Sequence, residues 1–164
     1  MIVLSRIAAC LILLALPAAA APVADLGGTP VALASLPGTP LDKTARALVA
    51  QDLAEARQSR EIPLVLVGTA RLGNATDRPA LFVQLQSPRE CGSAGCDTAV
   101  YAWIKGRWVR VLDAVSGPVV VLRARHHGMA DLVANTERYA WTGTTYANTR
   151  PAPAVDLRPR TPRR

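Results

Sequence analysis

The sequence predicts an α+β domain, one N-terminal amphipathic helix packed on an antiparallel sheet of about six to seven strands. Apolar residues recur at helical spacing in one stretch only, near residues 40–58. From residue 63 onward the pattern changes to period two, in short runs separated by turn residues. Half of the 164 residues are hydrophobic and 19% are charged, which supports one core and argues against a wholly disordered chain.

Residues 1–20 read as a cleavable export signal. Arg6 supplies the positive start, Ile7–Leu16 the apolar stretch and Ala18-Ala19-Ala20 the small residues of a cleavage site. An apolar run of about 10–15 residues is too short for a bilayer, which needs about 20. The expected location is therefore periplasmic or secreted, with no stable membrane span after signal cleavage. A mature chain of about 144 residues suits a single domain. Residues 21–38, rich in Ala, Pro, Gly and Val, read as a linker.

The expected domain covers 39–149. Thr39 can cap the helix, Pro40 suits its first position, and Asp42 favours the exposed amides of the first turn. Leu41, Ala45, Leu48, Val49, Leu53 and Ala56 make its apolar stripe. Pro63–Ala70 reads as an apolar strand and Gly73–Pro79 as a loop. Ala80–Gln86 reads as a half-buried strand, with Leu81, Val83 and Leu85 opposite Phe82, Gln84 and Gln86.

Thr98–Ile104 and Arg107–Ala114 flank Lys105-Gly106, a two-residue hairpin turn. That register sets Trp103 opposite Trp108, Tyr101 opposite Arg110 and Ala99 opposite Leu112. The second face is aliphatic, from Val100, Ala102, Ile104, Val109 and Val111. Pro118–Arg125 is another strand. A last hairpin, Arg138–Trp141 with Thr144–Ala147 around Thr142-Gly143, pairs Tyr139 with Tyr146 and Trp141 with Thr144. The expected core is Leu48, Leu53, Leu66, Leu81, Val83, Val100, Ile104, Val109, Val111, Val120 and Leu122. Residues 150–164, with four prolines and five arginines, read as a disordered tail.

Signal cleavage removes Cys10 and leaves Cys91 and Cys96, so an exported chain is expected to pair them in a disulfide. Two thiols without a neighbouring His do not make a zinc site, and C-x4-C is not the redox spacing. The formal charge is +7, of which the tail carries +4 and Arg6 one more. The body is nearly neutral. An exported chain with a tail lacking Lys is not expected to bind nucleic acid.

No catalytic constellation is visible. His126 and His127 are adjacent in a connection, where extended neighbours point opposite ways. H-E-x-x-H and G-x-S-x-G patterns are missing from the sequence. Asp131 is expected to bond the local backbone. The chain is thus expected to be no enzyme, with no metal and no cofactor. Tyr101, Trp103, Trp108 and Arg110 share one hairpin face and form the candidate binding face, because Trp, Tyr and Arg dominate interface hot spots. The competing expectation is that the helix covers that face. The partner would be an unknown envelope protein or polymer.

The string FVQLQSPRECGSAGCDTAVYAWIKGRWVRV, with GMADLV and RYAWTGTTY after it, resembles a group of small exported bacterial proteins without an assigned activity. Their pattern is a C-G-x-x-G-C loop, a hairpin with a Gly turn, and a closing W/Y-x-G-x-x-Y hairpin. The match spans about residues 80–146. It implies a compartment and a fold, and makes Cys91 and Cys96 the group's cysteine pair. Thr142-Gly143-Thr144-Thr145-Tyr146 also looks like the S-G-x-x-Y loop by which periplasmic lysozyme inhibitors enter the lysozyme cleft, with Thr142 in place of Ser. This makes Thr142, Gly143 and Tyr146 a candidate inhibitor loop and gives the alternative function.

Overall fold

A computed structural model describes residues 27–73 and 78–151. Residues 1–26, 74–77 and 152–164, on which the expected export signal, part of the expected 73–79 loop and most of the expected tail fall, lie outside the described residues.

The helical stretch forms as its caps dictate. α1 (Pro40–Leu48) begins at Thr39, whose hydroxyl accepts from the Asp42 amide at 3.2 Å. The Asp42 carboxylate accepts in return from the amide of Gly38, one residue before the cap, at 3.0 Å, which ties the entering chain to the first turn. One helix over 40–58 was expected, and two are found, α1 and α2 (Ala50–Gln58). The i→i−4 bonds into and out of Val49 persist, so the division is a kink at Val49. Ala45, Val49 and Leu53 thereby all stay on the underlying sheet. Past Ser59, Arg60 takes a left-handed conformation and the Glu61 amide returns to the Ala56 carbonyl, which ends α2.

The β part departs further from expectation. Among the described residues ten strands, all antiparallel, build two sheets in place of one of six to seven. One sheet runs β1 (Gly28–Pro30), β7 (Val119–His126), β8 (Met129–Ala134), β9 (Glu137–Trp141), β10 (Tyr146–Pro151). The other contains β2 (Leu64–Ala70), β3 (Ala80–Gln86), β5 (Gly95–Ile104) and β6 (Arg107–Ser116). Its short β4 (Cys91–Gly92) pairs with the start of β5.

Three layers result. The helices cover one face of the β2–β6 sheet over a cluster that joins Ala45, Val49 and Leu53 to Val65, Leu81 and Tyr101. The other face packs on the β1–β10 sheet through Phe82, Val100, Val111, Leu132 and Trp141. A small third cluster, Val120, Leu122 and Val133, lies on the far face of the β1–β10 sheet.

Each departure of the fold from the sequence pattern has a physical source. The segment read as a linker holds β1, which pairs with β7, and Ala34 bridges Val67 on β2. β8 has six consecutive buried residues, so no alternation marks it. Bulges near Val100 set Leu112 opposite Val100, not Ala99. The closing loop has four residues, so Trp141 pairs with Tyr146 and Tyr139 with Asn148. The Thr142 hydroxyl donates to the Thr145 carbonyl at 2.8 Å and closes that loop. β10 carries the domain two residues past its expected end at 149. Of the expected core, Leu48, Leu66, Ile104 and Val109 are only half-buried.

Cys91 and Cys96 are disulfide-bonded, directly opposite each other on β4 and β5. Among the described residues no helix is long and apolar enough to cross a membrane.

Candidate functional site

The hairpin of β5 and β6 places the four expected binding residues as the sequence implied, with Tyr101 opposite Arg110 and Trp103 opposite Trp108. Their environments differ. Tyr101 is only 4% exposed, beneath the helices, and its hydroxyl donates to the Leu48 carbonyl at 3.4 Å. Burial pushes its phenol pKa up, against the opposing pull of Arg110. Tyr101 is therefore core and cannot anchor a partner. Arg110 lies over the Tyr101 ring at 5.6 Å and pairs with Asp52 of α2 at 3.3 Å and with Asp113 at 3.7 Å. Its charge is engaged within the fold. The competing expectation, that the helix covers this face, holds for this half.

Helical cover ends at the turn end of the hairpin. Trp103 and Trp108 are half-buried and meet edge to face, with centroids 5.4 Å apart. The Arg78 guanidinium stacks over Trp103 at 4.4 Å. A groove of about 350 Å³ opens beside them. It is lined by Pro40, Leu41 and Thr44 of α1, Thr69 of β2, and Arg78, Pro79 and Trp108. The groove is mostly apolar with one cation at its rim, the usual make-up of a recognition site. Arg78 and Pro79 were missed because they read only as turn residues, and no local pattern reports that they return to a tryptophan on another strand.

A second cleft, of about 260 Å³, lies at the opposite end of the same face, lined by Asp52, Glu90, Asp97 and Asp113 together with Arg110. Burial, and next the nearby Asp97, push the Glu90 carboxyl above its ordinary range.

The candidate inhibitor loop is only partly presented. Thr142 and Gly143 are exposed, but Tyr146 is 5% exposed and its hydroxyl donates to the Ala130 carbonyl at 2.7 Å. A tyrosine held inside the sandwich cannot enter an enzyme cleft. The histidine pair also departs from expectation. His126 ends β7, and its Nδ1 lies 2.7 Å from Oδ1 of the fully buried Asp131, whose Oδ2 accepts from Arg138 Nε at 2.9 Å. Asp131 thus bonds side chains rather than local backbone. No hydroxyl or thiol bonds the His126 ring among the described residues. No group of three or more His, Cys, Asp or Glu suited to a metal ion occurs among them either.

No family model, no curated protein and no solved structure matches this chain.

Proposed function

We propose that the protein is an exported, non-catalytic binding module of the cell envelope that holds its partner in the groove beside Trp108. One observation carries this reading. Where the helices stop covering the sheet, Trp103, Trp108 and Arg78 form an aromatic and cationic set beside an open groove. Such residues supply large contact areas at low entropic cost. The signal-like residues 1–20 and the Cys91–Cys96 disulfide support an oxidising compartment, periplasmic or extracellular. The partner is an envelope protein or polymer. The small exported proteins that share the C-G-x-x-G-C loop belong to the same reading.

Tryptophan emission titrated with isolated envelope polymer and with solubilised envelope protein tests it. Wild type should show a saturable change with one of the two, and Trp108→Ala should abolish it while melting temperature changes little. Arg78→Ala should weaken it several-fold, the size of an exposed cation–π contact worth about 0.5–1 kcal/mol. If Trp108→Ala instead destabilises the fold by about 3–5 kcal/mol, as deletion of a core aromatic does, Trp108 is core and the reading fails.

A further inference from the structure

The strand β3 was expected to be half-buried, with Phe82, Gln84 and Gln86 on the face opposite Leu81, Val83 and Leu85, yet the second sheet covers that face as well. Phe82 is fully buried and Gln84 is 8% exposed. The layer between the sheets is thus apolar at Phe82 and becomes polar toward the disulfide end. A cleft of about 310 Å³ opens there, walled by Phe82, Val31 and Val119, with Gln84, Gln86 and Thr98 as its polar lining.

The hydrogen bonds of this lining are unevenly spent. Gln84 Nε2 donates to Thr98 Oγ1 at 2.9 Å and to the Cys96 carbonyl at 3.3 Å, and Gln84 Oε1 accepts from Gln86 Nε2 at 2.9 Å. Both amide donors of Gln84 are spent and its carbonyl holds one donor, which fixes the side chain. The Thr98 hydroxyl hydrogen has no acceptor among the described residues, and Gln86 Oε1 has no donor among them. The fully buried Thr98 hydroxyl thus keeps one unspent donor, and the carbonyl oxygens of Gln86 and Gln84 keep acceptor capacity, along the polar lining of the cleft. None of the side chains lining it is ionisable. A charged ligand would shed its hydration there without a counter-charge, which disfavours it.

We propose that this cleft between the sheets is a second binding site, for a small uncharged ligand that carries both a hydrogen-bond donor and an acceptor. Sugar hydroxyls and carboxamides share that chemistry. The site is separate from the Trp108 groove and does not depend on it.

Amide NMR spectra of the oxidised mature protein, titrated with glucose, with propionamide, and with the charged analogues propionate and propylammonium, test the proposal. Saturable shifts of the Gln84 and Gln86 side-chain amides with a neutral probe are expected. Glucose alone shifting them assigns a sugar, propionamide alone an amide, and both the shared chemistry. Gln86→Leu should weaken that binding at least tenfold, and Val31→Phe, which fills the cleft and leaves the polar lining intact, should do the same. Both variants should melt near wild type, and Trp108→Ala should bind the probe normally. The proposal is overturned if neither neutral probe moves these amides, if Gln86→Leu binds as well as wild type, or if the charged analogues shift them equally.

Discussion

The Tyr101 hydroxyl lies 3.4 Å from the Leu48 carbonyl, so a sheet side chain reaches the last residue of α1 immediately before the kink at Val49. That contact joins the helical layer to the sheet and separates the two halves of the hairpin face. Tyr101 is interior, while Trp103 and Trp108 stand at the edge.

Tyr101→Ala should therefore destabilise the protein by about 3–5 kcal/mol, as truncation of a buried aromatic does. Tyr101→Phe should cost less than about 1 kcal/mol, because a bond at 3.4 Å is long and weak. Urea denaturation of the two variants checks both values. Equal losses would mean that the hydroxyl, not the ring, holds the helices.

Gly68 reports on the segment before the helix. A Cβ at this position would lie 2.5 Å from the Ala32 carbonyl oxygen and 2.9 Å from the side chains of Leu33 and Val31. The Ala34 bridge to Val67 is adjacent. Gly68→Ala should cost about 1–3 kcal/mol through overpacking and should raise amide exchange at Ala34 and Val67. Unchanged exchange at those two amides would show that this segment is not docked on β2.

The sequence was legible where one local rule acted alone. Thr39, Pro40 and Asp42 marked the helix start, Lys105-Gly106 fixed the Trp103–Trp108 register, and two cysteines left after an expected signal cleavage implied their bond. It was not legible where a distant partner decides. Gln84 looks solvent-facing until a second sheet covers it. β8 shows no alternation because both of its faces are buried. Asp131 meets Arg138 and His126 only after three strands are paired. The groove was half legible: Trp103 and Trp108 were in view, but Arg78, Pro79 and the α1 wall enter only through tertiary packing.

Asp131 is fully buried, and Arg138 supplies its permanent counter-charge. Arg138→Met should cost about 3–5 kcal/mol, because it strands a buried carboxylate. Adding Asp131→Leu to Arg138→Met should recover much of that loss, since the pair then becomes apolar. A double-mutant cycle measured by denaturant unfolding gives the coupling. Additive losses would mean that the two side chains do not act as a pair in solution.

Alkaline pH should expose the tyrosines. Burial first, and then the hydrogen bond to Glu137, push the Tyr139 phenol up to about 12, while burial first, and then the charge of Asp131, raises Tyr146. Unfolded tyrosine titrates near pH 10. Below about pH 10 both states keep their phenol protons, and stability is independent of these groups. Above it the unfolded chain releases protons that the folded chain retains, so the unfolded state gains and stability falls with rising pH. The loss due to Tyr139 runs from about pH 10 to about pH 12. Urea midpoints should therefore be flat from pH 8 to pH 9.5 and drop beyond about pH 10. Tyr139→Phe should shallow that drop, because the unfolded chain then has one phenol fewer to ionise. Tyr146→Phe should shallow it too, from a lower starting stability, since the Ala130 carbonyl loses its donor at a cost of about 1–3 kcal/mol. A midpoint that stays level through pH 11 in wild type would show that the two phenols are not held neutral by the fold.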